Sequence, residues 1–280
     1  MKKLRAIWEV TRLEHGFIYG LGVVAGVFIS LGYLDLRLSI FGFLTALFLQ
    51  ASAFALNDYY DYEVDVANRR VDRPLVRGDL NRRDALLVAV LFALPGFAFA
   101  LYISFTAFIL ALTITLFGYA YDVKLKEYGL AGNIYIAFSM AAPFVFGAIV
   151  AGNINLKVCV LSLIAFLSGL AREIMKGIED VEGDALRDVK TVARVHGTEV
   201  AARISGVLFV LAVMMSLLVL TIPEYLDVKY IVPVSVTDYI LLSTSRKLLK
   251  GVEREEIGRL RRNTMLALAV GLLAFLLGST

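Results

Sequence analysis

The feature that most constrains this chain is its series of long apolar stretches. An α-helix needs about 20 such residues to cross the hydrocarbon core of a membrane. We identify nine candidate spans, near residues 15–34, 38–56, 84–102, 103–121, 134–152, 156–174, 199–221, 229–245 and 264–279. The third and fourth are nearly continuous, with a turn expected around Ile103, and the eighth is interrupted by Asp238.

The composition agrees with a membrane protein. Of the 280 residues, 59 % are hydrophobic and 19 % are charged, whereas a soluble domain is about 45–50 % apolar and about 25 % charged. A single soluble core stops growing near this chain length, so an ordinary soluble enzyme is excluded. The stretches lack the alternation of membrane strands. The sequence therefore predicts an all-α polytopic membrane protein, preceded by an amphipathic surface helix over residues 3–13.

The basic residues predict the orientation. Of the 28 Lys and Arg residues, 25 fall at the N-terminus or after even-numbered spans, and only Arg37, Lys157 and Lys229 fall on the other side. By the positive-inside rule the basic side is cytoplasmic, which fits an odd number of spans.

A first acidic cluster, Asn57–Asp65, directly follows the second apolar stretch and is expected to continue its helix. On a helix Asp58, Asp61 and Asp65 share one face. Like charges on one face destabilise an isolated helix, but a divalent cation between them makes the arrangement favourable. Oxygen ligands of this kind suit Mg²⁺, and Asn57 adds an amide oxygen.

A second cluster follows the sixth stretch, on the same predicted side. Asp180 and Asp184 are one turn apart if the segment is helical. Solvated helix ends are the simpler interpretation, but carboxylates beside membrane spans are costly and usually functional. Two such clusters facing each other would hold Mg²⁺ ions on a diphosphate.

Basic residues near both clusters suit phosphate oxygens. Those beside carboxylates or tyrosines are candidate phosphate ligands: Arg73, Lys124, Lys126, Arg172 and Lys176. The positive-inside rule alone accounts for Arg77, Arg82, Arg83 and the run 246–262.

These motifs resemble the UbiA superfamily of intramembrane prenyltransferases. Residues 57–65 match the family pattern N-D-x-x-D-x-x-x-D, and Asp180 with Asp184 matches D-x-x-x-D. Arg73-Pro74 after the first motif also fits. The resemblance implies one domain over residues 1–280, nine helices around a central cavity, Mg²⁺ dependence and a prenyl diphosphate donor, with residues 57–83 and 172–198 forming the active-site helix ends and loops.

The motifs leave two classes of prenyl acceptor open, a glycerol phosphate lipid and an aromatic quinone precursor. The second motif is similar to that of archaeal members that prenylate geranylgeranylglyceryl phosphate with a geranylgeranyl donor, although those carry Asp where this chain has Gly177. The segment Leu13-Glu14-His15 is similar to members that prenylate aromatic quinone precursors such as 4-hydroxybenzoate.

The resemblance also implies roles for the candidate residues. Asn57, Asp58, Asp61, Asp65, Asp180 and Asp184 would be catalytic metal ligands; Arg12, Arg73, Lys124, Lys126, Lys176, Tyr121 and Arg172 would bind phosphate groups of the substrates. Arg12 would take the phosphate of a lipid acceptor. Tyr59, Tyr119 and Tyr121 would flank the prenyl cation. Loops 59–80 and 181–198 would form a cytoplasmic lid that excludes water.

Two other membrane classes fit less well. A cation transporter places its charges near the middle of the bilayer, whereas here Asp238 is the exception among charges at span ends. A CDP-alcohol phosphotransferase needs D-x-x-D-G-x-x-A-R, and no Asp-Gly precedes Ala171-Arg172. The expected partners are the prenyl donor, the acceptor and the bilayer, and no nucleic acid.

Overall fold

The computed structural model describes residues 2–123, 129–182 and 189–280, and the regular structure in these ranges is helical. The helices are α1 (Lys2–Thr11), α2 (Leu13–Leu31), α3 (Leu36–Ala67), α4 (Pro74–Arg77), α5 (Arg82–Ile103), α6 (Phe105–Val123), α7 (Leu130–Val150), α8 (Leu156–Glu179), α9 (Val192–His196), α10 (Thr198–Val219), α11 (Val228–Lys250) and α12 (Arg254–Gly278). A short 3₁₀ turn covers Pro223–Tyr225.

The predicted all-α membrane architecture is confirmed, and the count of nine spans is approximate. Within the described residues, eight helices are long and apolar enough to cross a membrane. Helix α11 is also long, at 23 residues, but it is not among those eight. It contains Asp238 and ends in a basic segment, which lowers its apolar character.

The predicted break between the third and fourth spans lies at Ser104. Its backbone is extended, and its Oγ accepts a hydrogen bond from the backbone N–H of Ala107 at 3.0 Å. A side-chain oxygen at this position satisfies an amide at the start of α6 that has no partner within the helix. The nearly continuous apolar run is thereby divided into α5 and α6.

The chain forms two compact units. Unit 1 comprises Met1–Val27, Leu34–Lys124 and Phe146–Asn153, and unit 2 comprises Phe28–Tyr33, Leu125–Val145 and Ile154–Thr280. The interpretation of residues 1–280 as one domain stays a prediction.

In unit 1, helix α3 packs against α1, α5 and α6. Small buried residues such as Ala55, Ala85 and Ala89 line this packing. Ser52 adds a polar contact, because its Oγ donates to the carbonyl oxygen of Ala89 at 2.7 Å. Small residues and interhelical hydrogen bonds are the usual means of joining helices in lipid, where apolar burial alone gives little preference.

In unit 2, α10, α11 and α12 are joined in the same way. Ser245 Oγ on α11 donates to the carbonyl of Gly206 on α10 at 2.8 Å, and Thr237 Oγ1 donates to the carbonyl of Ala267 on α12 at 2.8 Å. Asp238 accepts a hydrogen bond from Ser216 Oγ at 2.8 Å. The residue that interrupts the eighth apolar stretch therefore joins two helices.

The predicted N-terminal helix is present as α1. Ala6 and Val10 are buried, whereas Leu4 and Trp8 are largely exposed. The helix ends before Arg12, whose φ of 44° interrupts the helical conformation before α2 begins. The location of α1 on a membrane surface stays a prediction.

Candidate active site

The first acidic motif lies within the last turns of α3, as predicted. Asp58 and Asp65 are buried, and Asp61 is partly buried. The helical repeat places the three carboxylates along one face. Local sequence thus accounts for their alignment, and partners from elsewhere in unit 1 account for their burial.

The first of these partners is Arg12, at the junction of α1 and α2. Its Nη2 lies 2.6 Å from Asp58 Oδ1, and the Asp58 side chain is only 2 % exposed. The guanidinium also lies over the ring of Phe54, 4.6 Å from the centroid. The left-handed backbone at Arg12 is uncommon for a residue with a side chain. The sequence predicts Arg12 as a phosphate ligand but does not predict this ion pair.

Arg73 is the second partner and immediately precedes α4. Its Nη1 lies 3.4 Å from Asp58 Oδ1, and its Nε lies 3.7 Å from Asp65 Oδ2. Pro74 at the first position of α4 has no N–H to leave unsatisfied there. We refer to Arg12, Asp58, Asp65 and Arg73 as the motif-one cluster.

Asp58 offers an observation relevant to a metal ion. Its second oxygen, Oδ2, is buried and has no hydrogen-bond partner among the described residues, which is costly for a carboxylate oxygen. The nearby donor set is made of oxygens, which suits Mg²⁺. The described residues do not bring three acidic, His or Cys side chains together as a formed metal site. The residue types therefore fit a divalent cation that completes its coordination with ligands from outside this cluster.

Asn57 is held by a residue that our sequence analysis missed. Its Nδ2 donates to Asp122 Oδ1 on α6 at 3.1 Å, and Asp122 is 7 % exposed. The available signal was an Asp directly after Tyr121 at the end of an apolar stretch. A single carboxylate in that place resembles an ordinary helix end.

Two of the candidate tyrosines, Tyr119 and Tyr59, make side-chain contacts within unit 1. Tyr119 Oη and Ser52 Oγ are 2.8 Å apart. Tyr59 lies beneath the guanidinium of Arg82, which is 4.5 Å from the ring centroid. Arg82 also pairs with Glu63 at 3.2 Å, so the positive-inside rule alone does not explain this arginine. Tyr121 is partly buried near the end of α6.

Arg77, also ascribed to the positive-inside rule, ties α1 to the segment after the motif. It pairs with Glu9 of α1 and with Asp79 at 2.8 Å. Glu9 also pairs with Arg5 at 2.8 Å. Hydrogen bonds from Arg77 and then from Arg5 lower the pKa of the Glu9 carboxyl. These contacts fasten the helix that precedes Arg12.

The second acidic motif, in unit 2, has a different environment. Helix α8 ends at Glu179, and Asp180 follows as its C-terminal cap. Among the described residues, none forms an ion pair or hydrogen bond with the Asp180 carboxylate. Lys176 is exposed, and Arg172 is partly buried with an Nε that has no hydrogen-bond partner in the part of the chain that the structure describes. Asp184, Lys124 and Lys126 lie outside the described residues.

Arginines of α12 bind the end of α8 beside this motif. Arg254 donates through Nε and Nη2 to the carbonyl oxygen of Glu179, at 2.9 and 2.7 Å. Arg261 Nη1 lies 2.6 Å from Glu179 Oε2. Positive charge at a helix C-terminus is stabilising. These arginines belong to the run 246–262, and the long-range pairing could not be read from that run alone.

The segments predicted as lid loops are partly helical. Residues 59–67 belong to α3, Pro74–Arg77 form α4 and Val192–His196 form α9. The prediction that residues 59–80 form one continuous loop is therefore wrong. The reason is that the tyrosines and carboxylates after the apolar stretch continue the helical turns of α3.

The backbone of Lys190 in unit 2 lies against Gly129. A Cβ built on Gly129 would come within 1.7 Å of the Lys190 carbonyl oxygen, and its φ is +46°. A Cβ on Gly177 would instead lie 3.4 Å from Thr191, an ordinary contact distance. Gly129 is therefore required by close approach, whereas Gly177 is not.

Comparison with known proteins connects this arrangement to one family. A model of the UbiA prenyltransferase family matches residues 20–269. A digeranylgeranylglyceryl phosphate synthase from Archaeoglobus fulgidus is 53 % identical, with 99 % of this chain and 96 % of that relative covered. A synthase of the same name from Thermococcus sibiricus is 36 % identical, with coverages of 99 % and 98 %. The resemblance seen in the motifs is confirmed.

Solved structures agree on the fold. One described as digeranylgeranylglyceryl phosphate synthase in membranes has a TM-score of 0.87 at 28 % identity, covering 100 % of this chain and 99 % of its own. A UbiA homologue from Archaeoglobus fulgidus, bound to GPP and Mg²⁺, has a TM-score of 0.66 at 20 % identity, with coverages of 98 % and 99 %. The second likeness concerns the fold alone.

Proposed function

We propose that this chain, which belongs to the UbiA prenyltransferase family, transfers a geranylgeranyl group from geranylgeranyl diphosphate to geranylgeranylglyceryl phosphate in archaeal membrane lipid synthesis. The observation that carries the proposal is the 53 % identity to a synthase of that name over nearly the whole of both chains. The motif-one cluster supports it, because Arg12 and Arg73 bring guanidinium groups, which bind phosphate oxygens well, next to carboxylates that suit a divalent cation.

The donor diphosphate is bound by cationic side chains. Arg73 is already ordered beside Asp58 and Asp65, so it reaches the site without further loss of side-chain freedom. Lys124, Lys126, Lys176 and Arg172 supply further charge. Their common effect is to neutralise the diphosphate as it leaves, which lowers the barrier to breaking the allylic C–O bond.

A divalent cation, Mg²⁺ in this proposal, fits the oxygen donors of Asn57, Asp58, Asp61, Asp65, Asp180 and Asp184. When bound, such an ion supplies positive charge that stabilises the developing charge on the leaving group. The unpartnered Oδ2 of Asp58 supports this assignment. These carboxylates would hold the cation, and they also hold the guanidinium groups of Arg12 and Arg73 in place.

Bond formation follows from the same arrangement. The bond between C1 of the prenyl group and its diphosphate oxygen breaks, and the electron pair leaves with diphosphate. The hydroxyl oxygen of the acceptor forms the new ether bond to C1, and its proton passes to the released diphosphate. Tyr59, Tyr119 and Tyr121 stabilise the allylic cation through their ring faces. Apolar surroundings exclude the water that would otherwise trap it.

Arg12 binds the phosphate of the acceptor. Its guanidinium presents five N–H donors, and it is held in place by Asp58 and by the ring of Phe54. We expect Arg12→Gln to raise the KM for geranylgeranylglyceryl phosphate more than the KM for the donor. Arg37→Gln is the matched control, because Arg37 contacts Tyr102 on the side predicted to lie away from the motifs.

The aromatic acceptor has less support. His15, which suggested it, packs edge-on against the ring of Phe54 with centroids 5.3 Å apart. It also lies 3.6 Å from its neighbour Glu14. These contacts give the Leu-Glu-His segment a packing role at the start of α2.

The test is a competition between acceptors. Purified protein is given Mg²⁺, geranylgeranyl diphosphate and equal amounts of geranylgeranylglyceryl phosphate and 4-hydroxybenzoate, and products are identified by mass spectrometry. We expect the doubly prenylated glycerol phosphate, and EDTA should abolish it. Prenylated benzoate as the main product would contradict the acceptor assignment.

The site faces the cytoplasm in this proposal, on the basis of the basic residues. A cysteine introduced at the exposed Val71, in a Cys159→Ser background, should react with a membrane-impermeant maleimide only from the cytoplasmic side. Reaction from the opposite side alone would contradict the orientation.

A further inference from the structure

We propose that Asp122 is a positioning residue that fixes the side-chain amide of Asn57, so that Asn57 Oδ1 faces the divalent cation as an uncharged oxygen ligand. The inference rests on the proposed function, since it concerns the same metal-dependent site. It assigns a role to a buried carboxylate outside both acidic motifs.

The geometry comes from two helices of unit 1. Asn57 lies near the end of α3, and Asp122 lies near the end of α6. Asn57 Nδ2 donates to Asp122 Oδ1 at 3.1 Å, within the normal range for an N–H···O hydrogen bond. Asp122 is 7 % exposed, so water competes little for this contact.

The hydrogen bond determines which way the amide points. An ionised carboxylate only accepts hydrogen bonds, whereas an amide carries both donors and an acceptor. Asn57 must therefore turn its NH₂ group toward Asp122. Its Oδ1 then lies on the opposite edge of the planar amide, away from Asp122, and it accepts no hydrogen bond from any described residue. The reversed amide would place two oxygens against each other.

The consequence concerns metal affinity. An amide with its oxygen toward a cation is a ligand, but the same amide reversed presents a positive N–H edge and repels the cation. Partners of this kind usually alter metal affinity by about 10- to 100-fold when removed, because they orient the ligands. Asp122 thus acts through Asn57 and need not touch the metal or the substrates.

The experiment measures Mn²⁺ binding without turnover, by electron paramagnetic resonance on purified protein. Asp122→Ala and Asn57→Ala should each weaken Mn²⁺ binding by about 10- to 100-fold. The double variant should be no weaker than Asn57→Ala alone, because both changes remove the same ligand. Asp122→Asn, which retains the side-chain size but can also donate, should give an intermediate loss and serves if Asp122→Ala fails to fold.

Ser52→Ala is the matched control. It removes another hydrogen-bonding side chain between α3 and α6, where Ser52 Oγ and Tyr119 Oη are 2.8 Å apart, and should leave Mn²⁺ affinity unchanged. If Asp122 had only a structural role, Asp122→Ala and Ser52→Ala would both have a lower Tm, and both would bind Mn²⁺ with unchanged affinity.

Wild-type affinity in a folded Asp122 variant would overturn the inference, as would additive losses in the double variant. Absence of Mn²⁺ binding by the wild type would overturn it as well. A different result would be that the Asp122 and Asn57 variants lose Mn²⁺ affinity without additivity while the wild type forms no prenylated product. That result would overturn the proposed function and leave the role of Asp122 standing.

Discussion

The two acidic motifs differ in how the protein holds them. In the motif-one cluster the carboxylates are buried, and Arg12 and Arg73 pair directly with Asp58. At the end of α8, the arginines of α12 bind Glu179, while Asp180 has no partner among the described residues. One motif is therefore fixed by its own counterions, and the other is fixed through a neighbouring residue.

The difference separates two requirements of a site that binds charged substrates. A buried carboxylate needs compensating charge to be stable, which ties Asp58 to folding as well as to chemistry. A partly exposed carboxylate without a partner can be removed at little structural cost. Loss of Asp58 from the first motif should therefore lower both stability and activity. Loss of Asp180 from the second motif should lower activity but leave stability nearly unchanged.

The largest effect is expected for Asp58→Ala. The change leaves the partly buried guanidinium of Arg12 without its buried carboxylate partner, and removing one partner of a buried pair costs about 3–5 kcal/mol. We expect turnover to be lost and the Tm to fall clearly, as measured by thermal unfolding in detergent. Asp72→Ala, which breaks an exposed pair with Arg70, is the control and should change the Tm little. An Asp58→Ala protein with wild-type Tm would break the comparison.

Asp61→Ala and Asp180→Ala should separate activity from stability. Each removes a proposed metal ligand, and loss of one electrostatic stabiliser of this kind reduces kcat by at least about 100-fold. The Tm of Asp180→Ala should stay near that of the wild type. Turnover is measured as diphosphate release. Full activity in either purified variant would remove that residue from the proposed metal site.

Gly129→Ala should disturb the segment that follows the second motif. The added Cβ meets the carbonyl of Lys190 and the backbone is left-handed, so overpacking of about 1–3 kcal/mol is expected. We predict a lower Tm and weaker activity than in Gly177→Ala, whose added Cβ is accommodated at Thr191. Equal behaviour of the two variants would show that the Lys190 contact is unimportant.

The smallest effect concerns pH. The pKa of Glu9 is lowered in the folded protein by Arg77 and Arg5, so its contribution to stability is present above the pKa of the unfolded chain. The contribution is lost as the pH falls through the lower folded value. The Tm difference between wild type and Glu9→Gln should therefore be small at about pH 7 and vanish by about pH 3. A difference that grows on acidification would contradict this sign.

Local sequence predicted most of the helices and the acidic face of the first motif. Apolar length identified most spans, and the continuation of α3 through Asp65 followed from uninterrupted helical spacing. The break at Ser104 was also predictable, since a polar residue separates two apolar runs. These features depend on residues within a few turns of one another.

The partners of the site were less predictable. Arg12 and Asp58 are 46 residues apart, and Arg254 and Arg261 are 75 and 82 residues from Glu179. The positive-inside rule explained such arginines without their contacts. Asp122 was missed because a lone carboxylate at a helix end carries no pattern. Packing of α6 on α3 is what brings it to Asn57.

The most direct test of prenyl transfer follows an isotope. Geranylgeranylglyceryl phosphate labelled with ¹⁸O in its free hydroxyl is incubated with geranylgeranyl diphosphate and Mg²⁺, and the products are analysed by mass spectrometry. We predict that the label is retained in the new ether and that the released diphosphate is unlabelled. A product in which the labelled oxygen carries a phosphoryl group from the donor, or the absence of an ether product, would contradict prenyl transfer.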